Sequence, residues 1–95
     1  MDEINFKNWL ATGKTAKKTQ SDCVSRLKRV ERELKIDLDK RYKKTKLEDI
    51  LRAFSQKGEN DEMKKFGDVN LPIGKNYMGT YRYSLNEYIK FKSLK

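Results

Sequence analysis

Residues 16–35 read AKKTQSDCVSRLKRVERELK, a run without glycine or proline. Cys23, Leu27, Val30 and Leu34 recur at spacings of four, three and four. That period puts them on one stripe of an amphipathic helix. At about 100° per residue, the opposite arc collects Lys17, Lys18, Ser21, Ser25, Lys28, Arg29, Arg32 and Lys35. Six of these eight are cationic and the other two are small hydroxyl residues. Asp22 and Glu33 fall at one edge of that arc, and Glu31 falls beyond the other. Thr15 is the expected N-cap.

Outward from this helix the chain keeps a helical period. Residues 3–11 carry Phe6, Trp9 and Leu10 on one face, and Gly13 is placed to stop that helix. The segment Ile36-Asp37-Leu38-Asp39 breaks the central pattern. Thr45-Lys46-Leu47-Glu48 matches a capping box and predicts a helix that ends near Gly58. Its apolar residues are Leu47, Ile50, Leu51 and Phe54. Residues 61–66 hold one or two helical turns, and residues 70–76, with Pro72 and Gly74, read as loop. The last helix spans residues 77–92, with Tyr81, Leu85, Tyr88 and Ile89 as its buried face. No strand-like alternation persists. None of these helices is stable alone in water, so they must share a core. The predicted fold is all-α: a compact bundle of four or five short helices in a single domain, residues 1–95.

Composition narrows the function. Of the 95 residues 39% are charged, against the usual quarter, and the formal net charge is +9. The chain has no histidine, which removes Ser-His-Asp and Cys-His catalysis and His metal ligands. The single cysteine, Cys23, forms no internal disulfide and makes no cysteine zinc site. On the apolar stripe it reads as a small buried hydrophobe. The acid pairs Asp37/Asp39, Glu48/Asp49 and Asp61/Glu62 sit near helix starts or loops, where carboxylates favour the helix dipole. No phosphate-cradling glycine motif appears. The expectation is a protein that is not an enzyme and has no cofactor, metal or catalytic residue. No 18-residue apolar run and no secretory signal pattern is seen, which predicts a cytoplasmic protein.

The charge is segregated. Residues 14–46 carry 13 Lys and Arg against 5 Asp and Glu, a net of +8 in about a third of the chain. Lys14, Lys17 and Lys18 flank the start of the central helix, and Lys40, Arg41, Lys43, Lys44 and Lys46 flank the next. Like charges four apart, as at Lys28 and Arg32, repel on an isolated helix. A face that accepts this repulsion points to a polyanion. The predicted nucleic-acid-binding set is Lys14, Thr15, Lys17, Lys18, Ser21, Ser25, Lys28, Arg29, Arg32, Lys43, Lys44 and Lys46, with double-stranded DNA as the first expected partner and RNA as an alternative that the sequence does not separate from it. Arg29 and Arg32 are the candidates for base edges, and neither is expected to be buried. A membrane surface would need apolar residues beside the cations, and the apolar stripe lies opposite them. Lysine-rich faces also serve solubility alone. Tyr83 and Phe91 fall off the predicted buried face of the last helix and are expected to be exposed to a protein partner. The alternative function is an adaptor or inhibitor that docks on an acidic protein.

Phe6 to Leu10, followed by Lys14, Thr15, Thr19, Cys23, Leu27 and Val30, resembles the N-terminal core-binding domain of tyrosine recombinases and phage integrases. That family opens with an aromatic helix, a Ser/Thr-rich turn, and a helix of the form T-x-x-x-Y-x-x-x-L-x-x-F. Here Cys23 and Val30 replace its aromatic residues. Residues 81–91, YRYSLNEYIKF, resemble its closing helix. The resemblance implies a SAM-like four-helix bundle that clamps DNA through basic helix faces. It would place Lys14, Thr15, Lys18, Ser25, Arg29 and Arg32 at phosphates. It implies no strand cleavage, since the family's catalytic domain is missing.

Overall fold

A computed structural model describes residues 1–13, 15–55, 61–67 and 75–94, with the backbone alone at residues 62 and 75–77. All regular structure among them is helical. The elements are α1 (Glu3–Ala11), α2 (Lys17–Leu34), α3 (Leu38–Thr45), α4 (Glu48–Ala53), the single turn α5 (Asp61–Lys64) and α6 (Lys75–Ser93). The all-α bundle is therefore as read from the sequence. Gly58 and residues 70–74 lie outside the described residues, whereas Lys75 and Asn76, read as loop, open α6.

Helix α2 is the centre of the bundle and packs on both α1 and α6. Its stripe behaves as the period requires: Cys23, Leu27 and Val30 have no solvent exposure, and Leu34 has almost none. The N-cap is Ala16 rather than Thr15, and no side chain bonds the first turn. The Thr15 carbonyl instead accepts a bond from Gln20 Nε2 at 2.7 Å. At the other end Lys35 takes a left-handed conformation, φ 56° and ψ 47°, and terminates the helix.

The segment after Lys35 is both a break and a start. Asp37 is extended, and its Oδ1 accepts from Asp39 N at 2.9 Å and Lys40 N at 3.3 Å. This N-cap launches α3, which the sequence reading missed. Only Leu38 is fully buried in this helix, so it has no apolar stripe to reveal it.

The predicted capping box fails because Thr45 is the last residue of α3, not an extended N-cap. The chain turns at Lys46 and Leu47, both left-handed (φ 55° and 65°). Such residues cost about 1–2 kcal/mol each. Complete burial of Leu47 returns about 1.5–3 kcal/mol. Asp49 ties the corner further. Its Oδ1 accepts from Thr45 Oγ1 at 2.6 Å, and its Oδ2 lies 3.0 Å from Arg41 Nη1. Helix α4 packs on α5, and Arg82 Nη1 of α6 donates to the Phe54 carbonyl at 2.6 Å, closing the C-terminal end of α4.

The face of α6 is rotated from the predicted one. Met78, Tyr81, Leu85, Tyr88 and Phe91 are buried, whereas Ile89 is only partly so. Phe91 packs 5.5 Å from Phe6 and 5.9 Å from Trp9, centroid to centroid. Tyr88 meets Phe6 edge-on at 5.0 Å. The expectation of an exposed Phe91 is thus corrected: it stands three residues from Tyr88, on the same side of the helix.

Three acids, Glu31, Asp37 and Asp39, gather at the N-terminus of the chain. The Met1 ammonium lies 2.8 Å from Glu31 Oε2, the same oxygen that accepts Leu38 N at 3.0 Å. Asp39 Oδ1 accepts from the Tyr88 hydroxyl and lies 3.3 Å from Lys92 Nζ. Tyr88 Oη in turn accepts Asp2 N at 2.9 Å. These bonds join α1, α2, α3 and α6.

Candidate nucleic-acid interface

The side of α2 turned away from α1 and α6 is the basic one. Lys17, Lys18, Ser21, Ser25, Lys28 and Arg32 are exposed, and Lys35 continues the row at the C-cap. The row runs Lys18, Ser21, Ser25, Lys28, Arg32, Lys35, at spacings of three and four, so one straight ridge carries it. Lys43, Lys44 and Lys46, from α3 and the corner after it, are also exposed. Lys14 lies outside the described residues.

Two of the predicted residues are less exposed than the ridge. Arg29 is half-buried and its Nε is shielded from solvent. It stands at the flank of the ridge, with less of its side chain in solvent than Lys28 or Arg32. Thr15 is likewise half-buried.

Among the described residues, carboxylates touch the ridge at Lys28 and at Arg32. Lys28 Nζ lies 3.1 Å from Glu3 Oε1, and Arg32 Nε lies 3.3 Å from Glu33 Oε2. Lys28 and Arg32 remain 60% and 71% exposed, and such solvent-facing pairs contribute about 0–1 kcal/mol. They can exchange a carboxylate for a phosphate at little cost. Lys17, Lys18, Lys35, Lys40, Lys43, Lys44 and Lys46 pair with no carboxylate among the described residues. Glu31, Asp37 and Asp39 are turned instead to the chain's own N-terminal ammonium, at 2.8, 3.8 and 3.9 Å. Negative charge that the sequence places among the cations is thereby drawn toward the bundle.

The structure also gathers residues that sequence reasoning left scattered. Lys35, Lys40 and Arg41 come together with Lys44 around a notch at the α2–α3 elbow. The missing signal was α3 itself. Once Asp37 is seen as its N-cap, Lys40, Lys43 and Lys44 fall on the outer side of one helix.

Tyr83 is 41% exposed on α6, as expected for a contact residue, while Phe91 is in the core. Among the described residues no three His, Cys, Asp or Glu side chains form a metal-binding group, and no helix is long and apolar enough to cross a membrane. Searched against known protein families, curated proteins and solved structures, the chain finds no match.

Proposed function

We propose that this chain is a non-enzymatic DNA-binding module that grips the phosphate backbone of a duplex. The observation that carries this reading is the exposed cationic ridge of α2, with further exposed cations at Lys43, Lys44 and Lys46 and the apolar side chains turned inward. Backbone contacts of this kind position a protein on DNA without selecting sequence. The hydroxyls of Ser21 and Ser25 lie within the ridge and suit hydrogen bonds to phosphate oxygens. The resemblance to the core-binding domains of recombinases extends the proposal to an origin in a phage or mobile element. An acidic protein partner is the competing reading; of the two aromatic residues expected to serve it, Tyr83 is exposed and Phe91 is buried.

The test is fluorescence anisotropy with a labelled duplex across a salt series. With about five phosphates neutralised, affinity falls about 500-fold between about 50 and 200 mM salt. The triple variant Lys18→Gln, Lys28→Gln, Arg32→Gln keeps the fold, because all three side chains are exposed. It should reduce the magnitude of the log–log salt slope by about 2.7. An unchanged slope in that variant would remove the ridge from the interface. Tight binding to an acidic peptide and none to DNA would favour the adaptor.

A further inference from the structure

The elbow where α2 ends and α3 begins holds a notch of about 230 Å³, lined by Lys35, Ile36, Asp37, Lys40, Arg41 and Lys44. At ~30 Å³ per water this is roughly eight water volumes. Four cations face one carboxylate there. The carboxylate is already engaged: Asp37 Oδ1 caps α3 through Asp39 N and Lys40 N, and lies 3.8 Å from the Met1 ammonium. Arg41 is held from two sides, with Nη1 3.0 Å from Asp49 Oδ2 and its guanidinium carbon 5.7 Å from the centre of the Phe66 ring. Lys35, Lys40 and Lys44 are exposed. One cation is thus fixed in place and three are free to close on a ligand.

Several features of the notch carry a local cost. Lys40 and Lys44 repel as like charges four apart on a helix. Lys35 occupies a left-handed C-cap (φ 56°) where glycine is the usual residue. The negative end of α2 and the positive end of α3 meet here, so the helix dipoles largely offset one another. The side chains therefore set the sign of the potential.

The ridge and the notch suit different charge distributions. A row of separate cations matches phosphodiesters, which spread single charges along a strand. A cluster of cations around a shallow notch raises the positive potential locally. It matches a phosphate monoester, which carries a charge of about −1.5 to −2 on three acceptor oxygens. We propose that the α2–α3 notch binds a phosphate monoester; this rests on the DNA-binding reading for its source, the 5′-phosphorylated end of a strand.

The experiment compares two hairpin duplexes of one sequence, with a 5′-phosphate or a 5′-hydroxyl end, at about 150 mM salt. The phosphorylated hairpin should bind about fivefold tighter or more. Lys40→Gln with Lys44→Gln should abolish the preference. Lys18→Gln with Lys28→Gln should weaken both hairpins and preserve it. Equal affinity of the parent chain for the two hairpins overturns the notch proposal and leaves the ridge reading intact. If neither hairpin binds, titration with inorganic phosphate decides. Shifts of the Lys40 and Lys44 amide signals in NMR spectra would keep the notch as a site for free phosphate and remove the DNA reading. No shifts would overturn both.

Discussion

Cys23 stands in the middle of α2 with no solvent exposure, its Sγ 4.0 Å from the Ser84 carbonyl oxygen. Burial pushes its thiol above the ordinary cysteine range, outweighing the contact with Ser84 that pulls it down. Both access and thiolate fraction are therefore low. The native protein should resist an aromatic disulfide reagent at neutral pH and react only as denaturant opens it. Fast labelling without denaturant would show that α2 and α6 separate readily. Arg29 shows the same logic on a charged residue. It is a cation on the helical wheel, yet its Nε is shielded, so charge reversal there would test packing as much as binding. Lys28 and Arg32 are the cleaner probes, since each is more than half exposed.

Helix α6 carries one residue that works against it. Gly79 is interior to the helix, and no described atom lies within 4 Å of where its Cβ would stand. Glycine in a helix interior costs about 0.5–1 kcal/mol relative to alanine. Gly79→Ala should therefore stabilise the protein and raise Tm by about 2–8 °C, read by the loss of far-ultraviolet circular dichroism. A lower Tm would mean that the position serves a close approach by another segment. At the α3–α4 corner the balance differs. The left-handed Lys46 and Leu47 are tolerated because Leu47 is wholly buried and Asp49 bonds Thr45 and Arg41. The same Arg41 lines the notch, so the corner that splits two helices also positions one of its cations.

Across the whole molecule, the polar network around Asp39 links α3 to α6 and to the chain's first residues. Burial pushes the Asp39 carboxyl upward, but the hydrogen bond from Tyr88, together with Lys92 and the terminal ammonium, prevails and holds it below the usual aspartate range. Tyr88 moves the other way: burial first, then its bond to Asp39, raises its phenol well above the tyrosine range and keeps it a donor. A depressed carboxyl pKa contributes stability above about pH 4, and that contribution is lost as pH falls through the native value. The urea midpoint of the parent chain should exceed that of Asp39→Asn at about pH 6, and the gap should narrow by about pH 2.5. A gap that stays constant would mean that the ionised carboxylate adds nothing at neutral pH. The network also shapes the outer electrostatics, because Glu31, Asp37 and Asp39 meet the Met1 ammonium rather than the lysines beside them in sequence.

The all-helical class and the two faces of α2 were readable from local periodicity, because a helix of 3.6 residues per turn sorts its side chains before any other segment arrives. Cys23, Leu27, Val30 and Leu34 inward, and Lys18, Lys28 and Arg32 outward, follow from that spacing. Tertiary packing decided the rest. Phe91 is in the core because Phe6 and Trp9, some eighty residues away in sequence, are there to meet it. Helix α3, with one fully buried residue, depends on its Asp37 cap and on neighbours rather than on a stripe of its own. The notch exists only because the elbow folds Lys35 back toward Lys40, Arg41 and Lys44. Contacts between distant residues leave no period in the chain, so they become legible only when the helices are packed.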